Sequence, residues 1–120
     1  DLDVPVRIRR CPIVREADGL ALSSRNQYLD PNQRRQAPVL WQALQGARGL
    51  IDSGERNSAV VGHAIMKHLA AAPDAVLDYA AIVNAETLQP IARLHGVVLI
   101  ALAVKFGSTR LIDNLQLDVD

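Results

Sequence analysis

The chain has 120 residues, of which 49% are apolar and 22% charged, with 13 basic and 13 acidic side chains and a net charge of zero. That length and apolar share suit one compact domain with its own core, and the charge balance gives no general attraction for nucleic acid or for an anionic membrane. Aromatic residues, at 3%, are too few for a base-stacking platform.

The first pattern is a strand. Val4, Val6 and Ile8 alternate with Pro5, Arg7 and Arg9, which gives one buried face; Pro5 lacks a ladder donor and suits a strand start or edge. Arg7, Arg9 and Arg10 form a basic cluster there, read as a solvent face or a domain contact. Cys11, beside Pro12, is the one cysteine. It excludes an internal disulfide, favours a reducing, cytoplasmic setting, and reads as a packing residue rather than a nucleophile. A loop follows, with Asp18-Gly19 as its turn. Ser24 with Gln27 fits a capping box for a short helical turn, and Ser23 with Asn26 fits one less well.

Asp30-Pro31 starts a long helix, with Asp30 as N-cap, Pro31 at the first helical position and Gln33 as capping partner. Its apolar stripe is Ala37, Leu40, Trp41, Leu44, Ala47 and Ile51, and Pro38 inside it predicts a kink. A second helix is expected from Asn57 or Ser58 to Ala72, with Val61, Ile65, Met66 and Leu69 inward. The period then changes: Leu77, Tyr79, Ala81 and Val83 alternate as a strand. A helical turn is expected over residues 85–88. Residues 97–104 form a continuous apolar run that reads as a buried strand and is far short of the roughly 20 residues that cross a bilayer. Gly107 bends the chain into a last strand through Leu111, Asp113, Leu115 and Leu117. The expected fold is α+β: helices packed on a small three-stranded antiparallel sheet, preceded by a short N-terminal strand. No signal-peptide pattern opens the chain, and a first residue of Asp1 rather than Met suggests a piece of a longer protein or a processed form.

Residues 18–26 hold the densest chemistry. A glycine turn delivers Ser23, Ser24 and Arg25 to a predicted helix start, where unpaired amides favour an anion and a forked guanidinium matches phosphate oxygens. The same residues also fit a plain helix cap with a solvated arginine, and the pattern alone favours that cap, since serine caps are common. His63 and His68 lie five apart and share no helical face as an i, i+4 metal pair would, and His95 is remote, so no metal site is expected. The stretch from Lys105 to Thr109 lacks the glycine spacing and residue order of a P-loop. Asp113 is expected at a strand end or turn, not as a general base, and Asp118 and Asp120 as a solvated tail.

The segment Cys11-Pro12-Ile13-Val14-Arg15-Glu16-Ala17-Asp18-Gly19-Leu20-Ala21-Leu22-Ser23-Ser24-Arg25-Asn26-Gln27-Tyr28-Leu29 resembles the signature of the pantothenate synthetases. Gly107-Ser108-Thr109-Arg110-Leu111-Ile112-Asp113-Asn114 resembles the same family's C-terminal signature. The order and separation of the two also fit, and the resemblance covers essentially the whole chain. It implies the family's smaller C-terminal, ATP-closing domain at residues 13–120, with residues 1–12 as strand and junction from a dinucleotide-fold domain that this sequence does not contain. The implied reaction joins pantoate to β-alanine, with ATP and Mg²⁺ as the substrate complex, through a pantoyl adenylate. The resemblance places Val14 against adenine and Leu22, Ser23, Ser24 and Arg25 at the nucleotide, chiefly its phosphates. Arg25 is the implied stabiliser of the leaving pyrophosphate.

The family likeness further implies a cytoplasmic homodimer for the full-length enzyme, with the dinucleotide-fold domain, ATP, pantoate and β-alanine as partners and neither nucleic acid nor membrane. The present chain alone is expected to be inactive. Departures from the family pattern are Leu22, where many members carry Met, Pro38 within the long helix, and Ser108 at a variable place in the tail signature. The competing reading is a non-catalytic binding or interaction module that retains the fold.

Overall fold

The computed structural model describes residues 14–120. The strand expected over residues 4–8, the Arg7, Arg9 and Arg10 cluster, Cys11 and the junction at residues 1–12 lie outside the described residues. In chain order a 3-10 helix (Ser24–Tyr28) leads to α1 (Pro31–Gln36), α2 (Val39–Asp52), α3 (Ser58–Leu69), β1 (Ala75–Asn84), β2 (Gly96–Phe106) and β3 (Thr109–Val119). The strands form one antiparallel sheet in the order β1-β2-β3, with the helices packed on one face. This is the α+β arrangement expected.

Local signals place most boundaries. Asp30 and Gln33 form a full capping box: the Gln33 amide donates to Asp30 Oδ1 at 2.7 Å and the Asp30 amide to Gln33 Oε1 at 3.0 Å, satisfying two donors that the helix start would leave open. Pro38 does more than kink the helix. It divides the expected single helix into α1 and α2 and sits at the N-cap of α2, because it has no N–H for the preceding turn and its ring crowds that turn. Asn57 caps α3 by accepting from the Ala59 amide at 2.9 Å.

The core lies between α2, α3 and the sheet. α2 contributes Leu40, Ala43, Leu44, Ala47 and Ile51, and β2 contributes Val98, Ile100, Leu102, Val104 and Phe106, all buried. Each such large side chain contributes roughly 1.5–3 kcal/mol by leaving water. In α3, Val61, Ile65 and Leu69 are buried as expected, but Met66 is 48% exposed. The i, i+4 row alone faces α2, so the neighbour at Met66 turns past the seam. The helix also ends at Leu69, with Ala70 as its C-cap.

Two strand details depart from simple alternation. The register slips between Leu77 and Tyr79, so Asp78 is the extra residue of a β-bulge. Side-chain parity therefore switches: Leu77 and Ile82 pack on the core while Tyr79 is exposed. The alternation through Tyr79, Ala81 and Val83 marks the outer face instead. Asp113 is neither at a strand end nor in a turn; it lies inside β3 opposite Leu102 and is buried. The β2–β3 connection is a two-residue loop between the paired Phe106 and Thr109. Gly107, at φ +63°, takes the first central position of a type II′ hairpin, which glycine alone occupies without strain.

Candidate functional site

Residues 14–22 fold back on themselves. The Leu22 amide donates to the Val14 carbonyl at 2.9 Å, the Glu16 amide to the Leu20 carbonyl at 2.8 Å and the Gly19 amide to the Glu16 carbonyl at 3.0 Å. At the bend Gly19 has φ +95°, and a Cβ there would sit 2.1 Å from Cδ1 of Trp41. Only glycine lets the loop lie flat on the indole of α2.

Arg15 anchors this loop to the sheet. Its Nη1 and Nη2 donate to Oδ2 and Oδ1 of Asp113 at 2.7 and 2.9 Å, and Nη1 also donates to the Gly19 carbonyl at 3.0 Å. The guanidinium lies 3.7 Å from the centre of the Trp41 ring, a cation–π stack. The side chain of Asp113 is 3% exposed and that of Arg15 is 16% exposed. The two signature segments, far apart in the chain, thus meet in one bidentate pair. Asp18 braces the other side of the loop by accepting from Arg34 Nη1 at 2.7 Å and Nη2 at 3.3 Å. That guanidinium holds the Asp18 carboxyl below the usual carboxylate range, against the opposing effect of burial and with help from the Leu20 amide.

Ser23, not Ser24, caps the following turn: its Oγ accepts from the Arg25 amide at 3.1 Å. The turn is a five-residue 3-10 helix, too short for a substantial dipole. Charge and hydroxyl donors must therefore supply any affinity for anions here. Leu22, Ser23, Ser24 and Arg25 line a cleft of about 460 Å³, together with Trp41 from α2 and Arg110, Ile112 and Asn114 from β3. A second cleft of about 480 Å³ is lined by Arg25, Tyr28, Ser108, Thr109 and Arg110. Arg25 and Arg110 belong to both, and Arg25 Nη1 reaches the Arg110 carbonyl at 3.5 Å. These volumes lie in the range of small-molecule sites. Asp113 is the only carboxylate among the residues lining the first cleft, and Arg15 already neutralises it.

Four of the five expected site residues, Leu22, Ser23, Ser24 and Arg25, therefore share one cleft. Val14 is 66% exposed and does not line it, although its carbonyl bonds to Leu22. Sequence reasoning missed Arg110, Trp41 and Asn114 as lining residues. Residues 110–114 line the cleft consecutively, with Leu111 and Asp113 on the opposite face of β3 from Arg110, Ile112 and Asn114, so the edge of the strand borders the cleft and no alternation in the sequence marks it. His63, His68 and His95 are exposed, and no three or more His, Cys, Asp or Glu side chains group as metal ligands among the described residues. Among those residues, no helix is long and apolar enough to cross a membrane.

Fold and site together define an α+β unit that presents a serine-arginine loop over a cationic cleft. The pantoate-β-alanine ligase family model matches residues 1–116, and the chain belongs to that family. It is 53% identical over 120 residues to the pantothenate synthetase of Moorella thermoacetica, a match that takes in 100% of this chain and 42% of that protein. It is 50% identical over 121 residues to the pantothenate synthetase of Oleidesulfovibrio alaskensis, covering 98% of this chain and 42% of the relative. The crystal structure of the pantothenate synthetase of Thermus thermophilus superposes with a TM-score of 0.82 at 45% identity, over 88% of this chain and 38% of that one. The chain thus spans about two fifths of the length of the relatives it matches.

Proposed function

We propose that this chain is the C-terminal, ATP-closing part of a ligase that condenses pantoate with β-alanine, and that the cleft under residues 22–25 receives the phosphates of ATP. The observation that carries this reading is the grouping of Ser23, Ser24, Arg25 and Arg110 around one cleft whose lining carboxylate is already neutralised. In the proposed reaction the pantoate carboxylate attacks the α-phosphorus of ATP, the bond to the β-phosphate bridge breaks, and pyrophosphate leaves. The β-alanine amine then attacks the acyl carbon of pantoyl adenylate and AMP leaves. Negative charge moves onto the leaving pyrophosphate in the first step, and an arginine with hydroxyl donors already in place stabilises it with little reorganisation.

The described sheet is small and antiparallel, so a pantoate pocket and the rest of the nucleotide site are assigned to a dinucleotide-fold domain elsewhere in the protein. Mg²⁺ travels with the phosphates, keeping most of its ligands as phosphate oxygens and water. Closing this unit over the site would exclude water from the acyl adenylate. The full-length enzyme is read as a cytoplasmic homodimer.

The test is Arg25→Ala in the full-length enzyme, measured as pantoate-dependent AMP release. The expected loss is roughly 10²–10³ in rate, about 3–4 kcal/mol, with circular dichroism unchanged. Arg25→Lys should restore part of the rate, because an ammonium lacks the forked geometry. Full activity in Arg25→Ala would make Arg25 a solvent residue and remove it from the nucleotide site.

A further inference from the structure

Asn26 closes the serine-arginine segment. Its Nδ2 donates to the Ala21 carbonyl at 3.0 Å, across five positions. Ala21 is itself anchored, because it bridges Arg15 in an antiparallel pair and Asp113 holds Arg15. The bond therefore ties the far end of the segment to its fixed end, with Leu22, Ser23, Ser24 and Arg25 enclosed between them. The other bonds within the segment are local: the Arg25 amide donates to Ser23 Oγ at 3.1 Å and the Asn26 amide to the Ser23 carbonyl at 3.1 Å. Packing adds little, since no residue of the 3-10 turn is buried and so short a 3-10 run is weak by itself. Among the described residues the Arg25 side chain makes one hydrogen bond, to the Arg110 carbonyl at 3.5 Å, which is long for such a bond.

The same amide leaves one atom unsatisfied. Its Oδ1 is buried and has no hydrogen-bond partner among the described residues. Turning the amide over would set Oδ1 against the Ala21 carbonyl, one acceptor facing another. The bond to Ala21 thus dictates the orientation and leaves the orphan behind. A buried acceptor without a partner lowers stability, and such an atom in a folded chain calls for a reason. Direct phosphate contact is a poor one: Oδ1 is an acceptor, and Nδ2 already bonds the Ala21 carbonyl. Yet Asn26 borders the first cleft beside Ser23, Ser24 and Arg25. Shaping that wall is the task its bonds fit.

We propose that Asn26 is a positioning residue for the ligase reaction: by clasping Ala21 it holds the backbone of residues 22–25 in the shape that presents Arg25 to the leaving pyrophosphate. The proposal rests on the phosphate reading of residues 22–25 and adds to it the group that sets their geometry. Asn26 touches no reacting atom and acts through Arg25. A donor lowers the barrier most when it stands in place before charge develops, and a displacement of about 1 Å can cost about 10² in rate. Among the described residues, no other side chain bonds from one end of this segment to the other.

The experiment is a kinetic cycle in the full-length enzyme, read as pantoate-dependent AMP release. Asn26→Leu keeps roughly the size of the side chain and removes both the clasp and the orphan, so the urea midpoint should stay near that of the parent. Its kcat should fall about tenfold or more, within the range for a displaced catalytic group, with the KM for pantoate unchanged. In the Arg25→Ala background, Asn26→Leu should lower the rate by less than about twofold further, because residues that act as a unit are not additive. Asn26→Ala takes the place of the leucine variant if that protein loses its native circular dichroism, and loss of the fold in both would make Asn26 structural and overturn the proposal. A parental rate, a loss that falls on the KM for pantoate instead of on kcat, or losses that multiply in the double variant would overturn it as well. Each of these outcomes leaves the phosphate reading of Arg25 intact. Full activity in Arg25→Ala would overturn the two together.

Discussion

Replacing Asp113 by alanine should destabilise the chain by about 3 kcal/mol. The carboxylate is almost fully buried and accepts two short bonds from Arg15, at 2.7 and 2.9 Å. Removing one member of a buried pair leaves an uncompensated charge, which costs roughly 3–5 kcal/mol. The lower end applies, because Arg15 reaches solvent with part of its surface and keeps the Gly19 carbonyl and the Trp41 ring. Against a typical total of about 5–15 kcal/mol, this is a large share. In urea, with a slope of about 2 kcal/mol/M, the midpoint should fall by about 1.5 M at unchanged slope. Arg15→Ala and the double variant complete a cycle, and the coupling between the two sites should exceed about 1.5 kcal/mol. Additivity within about 0.5 kcal/mol, or an Asp113→Ala midpoint within the error of the parent, would refute the assignment of the pair as the anchor of the loop.

Gly19→Ala should displace residues 14–22 from α2, since a Cβ 2.1 Å from the indole and φ +95° are both incompatible with alanine; a folded variant with native near-ultraviolet circular dichroism would contradict this. The Asp18–Arg34 pair should add a small pH dependence. The folded Asp18 pKa is lowered by Arg34, so its contribution is fully present above the ordinary carboxylate pKa and is lost as pH falls through the lowered one. The pair is partly exposed, so the effect should stay within about 1 kcal/mol, and an acid titration of stability should lose that component in Asp18→Asn. The 120-residue chain alone should fold yet release no AMP above background with ATP and pantoate, because positioning both reactants supplies up to roughly 7–11 kcal/mol of such a barrier. Clear turnover would show that the chain carries a complete site.

What could be read in advance was local. Asp30, Pro31 and Gln33 mark a helix start within four residues, and the apolar run of β2 needs only itself to announce a buried strand. Ser23, Ser24 and Arg25 are neighbours in sequence, so their common cleft follows once the loop turns at Gly19. The missed features depend on distant partners. Asp113 looks like a strand-end residue until Arg15, 98 positions away, arrives to neutralise it. The bulge at Asp78 is invisible in β1 alone, because it exists only relative to the register of β2. Pro38 is visible as a disturbance, but whether a helix bends or divides depends on whether Ala37 and Val39 can both bury while the chain redirects, and both do.

The stack of Arg15 on Trp41 has an optical consequence. Trp41 is the sole tryptophan of the chain, it lies under the bend at Gly19, and it borders the cleft beside residues 22–25. Indole emission responds to the charge and hydration of its immediate surroundings. Excited at the red edge of indole absorption, where the chain's two tyrosines contribute little, its intrinsic fluorescence comes from one ring that senses whether the loop is seated and its guanidinium in place. Loop displacement and cleft occupancy can be followed in the unlabelled protein, at concentrations far below those that spectroscopy of individual amides requires.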